Sequence, residues 1–171
     1  MSSKPARRPP ARVGKDHFCR TCARFPTGVT ILTVVDANGV PHGMTASSFT
    51  SVSLDPPLVL VCVDHRATVL AHLRRAQHIG INVLSEDQQP LSEHFARRGH
   101  DRFDAVEWYA GHGGVPLIPG ALASFECTVH RMIDVGDHTI LIAQVLDVEH
   151  SDGRPLVYFA SGYHKLGGET G

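Results

Sequence analysis

Residues 44–57 read MTASSFTSVSLDPP and set Thr45, Ser47, Ser48, Thr50, Ser51 and Ser53 directly before an apolar run, LVLVCV. Small hydroxyls together with consecutive backbone N–H groups can hold a phosphate through hydrogen bonds, without a helix dipole. The same residues also suit an edge strand whose hydroxyls meet water. Gly136-Asp137-His138 sets a carboxylate beside an imidazole between two long strand-like runs. A bare β-turn accounts for that triplet equally well. Cys19 and Cys22 form C-R-T-C near His17, a spacing used by zinc and redox sites. The second pair that zinc requires is missing, because Cys62 and Cys127 stand alone in strand-like runs. Phe18, Cys22 and Phe25 fall at i, i+4 and i+7, which assigns the two thiols to the packing face of a helix. The twelve histidines are scattered singly without convincing ligand spacing, so no metal is expected.

Several chemistries lack their motif altogether. The sequence holds no G-x-S-x-G elbow, no G-x-x-x-x-G-K-[ST] loop and no H-E-x-x-H. Gly111-His112-Gly113-Gly114 is not a dinucleotide fingerprint, since no parallel strand–turn–helix unit surrounds it.

The elements that must position these groups follow from periodicity. DHFCRTCARF reads as a short helix capped by Asp16 and ending near Pro26. GVTILTVVDANGVPHGMTASSF reads as two strands joined at Asn38-Gly39, a strong hairpin signal. PLVLVCV is a third strand, and Asp55-Pro56-Pro57 before it reads as a stop to pairing, because proline donates nothing to a ladder. Val69, Leu70 and Leu73 have helical spacing. HIGINVLS is a fourth strand, and a helix starts near Pro90 with Leu91 and Phe95 on one face and Gly99 beyond its end. The Gly/Pro-rich stretch 101–121 reads as an irregular loop with short extended pieces. LASFECTVHRMIDV and TILIAQVLDVEH then form two long strands. In the first, Phe125, Cys127 and Val129 alternate with Ser124, Glu126, Thr128 and His130, predicting one buried face. LVYFASGY is the final strand. About seven strands with few helices predict an all-β dominated fold, a closed or nearly closed antiparallel barrel.

Composition sets the remaining limits. Forty-two per cent hydrophobic and 19% charged residues suit one soluble domain, taken here as 16–171. Residues 1–15 carry five basic and no acidic side chains with three prolines, and read as a disordered tail. The remainder has 11 basic against 17 acidic side chains, which argues against nucleic acid as a partner. No apolar run is long enough for a membrane span and no secretory leader is visible, so the expected place is the cytoplasm.

In this order, FPTGVTILTV, GMTASSFTSVSLDPPLVLVCVD, INVLSEDQQPLSEHFA, DRFD, VGDHTILIAQV and PLVYFASGYHKL resemble the flavin reductase family. These are the small reductase components of two-component, flavin-diffusible monooxygenases, and the resemblance runs from about Phe18 to Leu166. It implies an FMN-binding split β-barrel, Greek-key-like with a few short peripheral helices. It further implies FMN or FAD as cofactor, NADH or NADPH as hydride donor, a homodimer with flavin near the subunit interface, and a separate monooxygenase that receives the reduced flavin. Thr45, Ala46, Ser47 and Ser48 correspond to the family's flavin-lining segment. Asn82 and Ser85 match the strand end that meets the ribityl chain and ring edge. Arg97 stands at a basic phosphate contact, or is a solvated helix-end arginine. Asp64-His65-Arg66-Ala67-Thr68 departs from the Ser/Thr-rich phosphate turn of many relatives, leaving Thr68 as a hydroxyl and Arg66 as a compensating charge. His138 is similar to a nicotinamide contact, with Asp137 beside it. The alternative on the same barrel is a flavin-binding carrier or sensor that does not turn over. An oxidase of the pyridoxamine-phosphate type would need a basic phosphate cluster that the sequence does not show.

Overall fold

The computed structural model describes residues 12–97 and 103–167. Helix α1 (Lys15–Cys22) is followed by β1 (Thr27–Gly28), β2 (Thr30–Val35), β3 (Pro41–Ala46), β4 (Thr50–Leu54) and β5 (Pro57–Asp64). Then come α2 (Leu70–Leu73), β6 (His78–Val83), α3 (Gln89–Ala96), β7 (Tyr109–Ala110) and β8 (Pro116–Leu117). The long pair β9 (Ala123–Val135) and β10 (His138–His150) precedes β11 (Val157–Phe159) and β12 (Gly162–His164). Seven strands form one antiparallel sheet in the order β3-β2-β6-β9-β10-β5-β4. Its two end strands are consecutive in the chain. The corner between them is tied to β5 by Ser48, whose Oγ accepts from Cys62 N–H at 2.9 Å and donates to Cys62 C=O at 3.2 Å. The result is a split barrel, with β1, β11 and β12 as a separate small sheet.

β2 and β6 are buried on both faces, and neither carries a residue of fixed charge. Leu32, Val34, Ile79, Ile81, Val59, Val61, Val63 and Leu141 fill the barrel, closed at one end by Val69, Leu70 and Leu73. Val29, Ile31, Leu84, Phe95, Phe103, Ile118 and Leu156 form a second core outside it. Each such side chain contributes roughly 1.5–3 kcal/mol on burial.

The outer face of β2, β6 and β9 corrects the simple alternation expected for β9. Ser124 and Glu126 are buried, not exposed. Residues 111–118 lie over them, and polar side chains of the sheet satisfy that segment's backbone. Thr33 Oγ1 donates to Pro116 C=O at 2.6 Å, Asn82 Oδ1 accepts from Ile118 N–H at 2.9 Å, and Glu126 accepts from His112 N–H. Paired only with the two-residue β7, the segment needs such groups to be buried at all. Gly80 permits the approach, since a Cβ there would come within 2.4 Å of Thr33 Oγ1 and 3.0 Å of Pro116 O.

Other expectations also change. Gly14, not Asp16, is the N-cap of α1. No residue of α1 is buried in this chain; Cys19 and Cys22 are exposed, and Phe18 is 60% and Phe25 74% exposed. The face expected to pack is therefore left open by the other elements among the described residues. Asp55-Pro56-Pro57 does not stop pairing: the cis Asp55–Pro56 bond lies in a turn that returns β4 onto β5, with Leu54 opposite Pro57. The final strand is a hairpin, β11–β12, turning at Ala160 and Ser161, both with positive φ (50° and 65°). The Asn38-Gly39 hairpin forms as expected, with Asp36 Oδ1 accepting from Asn38 and Val40 N–H. The β2–β3 register carries Gly43 beneath α3, and Gly99 and residues 1–11 lie outside the described residues.

Candidate active site

Helix α3 reaches the barrel over Gly43. A Cβ at that position would lie 2.9 Å from Phe95 Cε1 and 3.2 Å from Leu32 O, so only glycine lets the Phe95 ring settle there. Gly43→Ala is expected to cost about 1–3 kcal/mol by overpacking and to displace Phe95. Thermal unfolding together with the flavin KM checks this, because Phe95 borders the cavity described next.

Between β3, the turn after β5 and α3 lies a cavity of about 330 Å³, lined by Met44, Thr45, Asp64, Arg66, Ala67, Thr68, Val69, Phe95 and Ala96. Thr45, Asp64, Arg66 and Thr68 are thus brought together. Thr45 Oγ1 donates to Ser92 C=O at 2.6 Å, and Ser92 Oγ pairs with Tyr163 OH at 2.8 Å. The Thr45 proton is committed there, so its hydroxyl offers the cavity an acceptor and not a donor. Asp64 Oδ2 accepts from Arg66 Nη2 at 2.6 Å, and its Oδ1 accepts from Arg66 N–H and Nε–H at 2.8 and 3.1 Å. These bonds to Arg66 hold the Asp64 carboxyl far below its ordinary 3.8. Arg66, 70% exposed at its side chain, is aimed by this fork. Among the described residues, the Thr68 and Val69 N–H groups have no hydrogen-bond acceptor.

The Gly136-Asp137 turn adjoins the same end of the barrel. Gly136 has φ +60°, at the position where a two-residue hairpin takes glycine. It sets His138 directly opposite Asp64 in the β10–β5 ladder, and directly opposed residues share a face. His65 N–H donates to Asp137 C=O at 3.0 Å, locking the two turns together. His138 Nδ1 lies 2.7 Å from Asp137 Oδ1, and that contact lowers the Asp137 carboxyl from its ordinary value.

The other expected site residues lie elsewhere. Ala46 is buried in the barrel core, Ser47 faces solvent, and Ser48 has both hydrogen-bonding capacities taken by Cys62. Asn82 is fully buried away from the cavity, and its amide bonds Ile31 C=O, Ile118 N–H and Ser124 Oγ. Ser85 caps the 3₁₀ turn before α3 in a capping box with Gln88. Arg97 is exposed at the C-cap of α3, one residue past the cavity wall. Met44, Ala67, Val69, Phe95 and Ala96 complete the lining without having been singled out as site residues. Only the Leu91–Phe95 apolar face hinted at them.

Residues 22–167 match the family model described as flavin reductase like domain. An NADH-dependent flavin reductase from a Rhodococcus species is 41% identical over 152 residues, covering 88% of this chain and 85% of that protein. The stachydrine N-demethylase reductase subunit Stc3 of Rhizobium meliloti is 45% identical over 139 residues, 81% of this chain, and the chain spans 60% of that protein's length. Among solved structures, the NADH:FAD oxidoreductase SgcE6 of Streptomyces globisporus, in complex with NAD and FAD fragments, superposes with a TM-score of 0.87 at 37% identity. That match covers 92% of this chain and 95% of SgcE6. With the matched region spanning nearly all of the described fold, the chain belongs to the flavin reductase-like domain family.

Proposed function

We propose that the protein is an NAD(P)H:flavin oxidoreductase that reduces free FMN or FAD and releases it to a separate flavin-dependent monooxygenase. One observation carries the reading: the cavity holding Thr45, Arg66 and Thr68 lies beside the Asp137–His138 turn on a single barrel end. The donor set there fits a phosphorylated flavin. Arg66, the Thr68 hydroxyl and the Thr68 and Val69 N–H groups suit a phosphate, while Phe95 and Met44 offer apolar surface to a ring. A bound flavin supplies the electron sink, taking a hydride at N5 from a reduced nicotinamide.

The chain's own part is to bind, orient and let go. No side-chain nucleophile is needed, which matches a lining of hydroxyl, amide and guanidinium groups. Asp137 orients the His138 ring toward the approach of the nicotinamide, and the Asp64 fork orients Arg66. An open site whose one lining cation among the described residues is already paired holds a product loosely enough to release it.

Purified protein is expected to oxidise NADH or NADPH only when FMN, FAD or riboflavin is added. Tight flavin retention with no nicotinamide oxidation would instead support a carrier. His138→Ala should raise the KM for the nicotinamide roughly fivefold, the worth of about 1 kcal/mol, with the flavin KM unchanged. Equal loss of both would assign His138 to the fold of the turn. Two copies pair in this proposal through the open α1 face, which sedimentation equilibrium of a Phe18→Ser variant can test. No helix among the described residues is long and apolar enough to cross a membrane. The reading places the enzyme in the cytoplasm, where its four free cysteines stay reduced.

A further inference from the structure

A second cavity, of about 310 Å³, shares no lining residue with the first and is bordered by Asp36, His72, Arg75 and His78. Three elements meet at its edge. Asp36 follows β2, His42 lies on β3 opposite Val34, and His72 is on α2. One ligand atom from each of Asp36, His42 and His72 lies within 4.8 Å of the other two. The Asp36 carboxylate is already oriented, since its Oδ1 accepts from Asn38 and Val40 N–H at 2.9 Å each. Oδ2 is thereby turned to His42 Nε2, 3.3 Å away. That is long for a carboxylate–imidazole hydrogen bond. It equals the edge of about 3.3 Å in a tetrahedron built on zinc bonds of roughly 2.0–2.1 Å. The His72 ring stacks on His42 with centroids 3.8 Å apart and planes 11° from parallel, which keeps the third ligand beside the first two.

We propose that Asp36, His42 and His72 form a binding site for a zinc-class divalent ion that fastens the β2–β3 hairpin to α2. One carboxylate oxygen with two imidazole nitrogens suits zinc, cobalt, nickel or copper, and suits magnesium or calcium poorly. The Asn38 and Val40 amides act as the outer shell that fixes the carboxylate ligand. Closing the set needs the two half-buried rings to tilt out of their stack, which side-chain rotation provides. The fourth position faces the cavity, where water or, beside Arg75, a small anion completes the tetrahedron. The other candidate cluster, His112, Glu126 and Asp147, is less suited, because Glu126 Oε2 already takes the His112 backbone and ring N–H groups.

The test titrates metal-free, full-length protein with Co²⁺, reading its visible ligand-field bands, and then displaces cobalt with Zn²⁺. The expected result is one equivalent of tetrahedral cobalt. His72→Ala and His42→Gln should each weaken the affinity by about tenfold or more, with unchanged circular dichroism and flavin-dependent NADH oxidation. A Cys19→Ser/Cys22→Ser variant should bind as the parent does. Failure of the parent to take up an equivalent, bands indifferent to both histidine variants, or bands lost with the two cysteines would each overturn the assignment.

Discussion

Arg66→Ala is expected to raise the KM for FMN by roughly 10- to 30-fold while leaving kcat within a factor of about two. The KM for riboflavin, which has no phosphate, should not move. The effect is that of losing a charge-assisted contact, kept moderate because Arg66 is largely exposed and screened. Part of the effect has a second source. Removing the guanidinium uncovers Asp64, whose carboxylate would then face the phosphate. An Asp64→Asn/Arg66→Ala double variant separates the two, since it lacks both the attraction and the repulsion. Recovery of most of the affinity in the double variant would identify repulsion as the larger part. The pair's charge state is insensitive to pH in the neutral range. Asp64 is lowered in the fold, so its contribution is complete above its ordinary 3.8 and fades only as pH falls below that value. The KM for FMN should therefore show no inflection from Asp64 above pH 3.8. An FMN KM that rises no more than the riboflavin KM would remove Arg66 from phosphate binding.

Asn82→Ala is expected to be the most destabilising single substitution proposed here, by about 3–5 kcal/mol. Its amide oxygen serves Ile118 N–H and Ser124 Oγ, and its amide nitrogen serves Ile31 C=O at 3.2 Å, all in the protein interior. Deleting the side chain leaves those groups without water to replace it, which costs more than the bonds themselves contribute. At about 2–4 °C per kcal/mol for a domain of this size, the melting temperature should fall by roughly 10 °C. The folded protein should nonetheless keep its flavin KM, because Asn82 lies outside the cavity. A raised flavin KM with unchanged melting temperature would restore the ligand contact that the family resemblance implied.

Much of the barrel was legible because its signals are local. Apolar runs gave the central strands, Asn38-Gly39 gave the first hairpin, and the order of motifs gave the family. β4 was legible only as one of two readings, an edge strand or a phosphate-holding stretch, because its Thr-Ser-Val-Ser-Leu run is exposed and bears hydroxyls on both faces. The β11–β12 turn escaped because Ala160 and Ser161 hold positive φ without glycine or asparagine to announce it. That conformation costs of order 1 kcal/mol per residue, and the Ala160 N–H to Ala23 C=O bond at 2.8 Å helps to hold it. The buried Ser124 and Glu126 were hidden for a tertiary reason, since nothing in β9 itself says that residues 111–118 will cover it.

The candidate site divides in the same way. Thr45, Asp64, Arg66 and Thr68 belong to two contiguous stretches whose order in the chain identified them. Phe95, Met44 and the Thr45–Ser92–Tyr163 chain depend on α3 crossing Gly43, a packing event visible only in three dimensions. Ser48 shows the converse: a hydroxyl in the right stretch, used entirely to close the barrel.

The most direct test of the central claim is a crystal structure of the protein with FMN. The phosphate is expected within hydrogen-bond distance of Thr68 and Arg66, with the ring beside Thr45 and Phe95 and within reach of His138. A flavin bound elsewhere on the barrel, with this cavity free of it, would contradict the account.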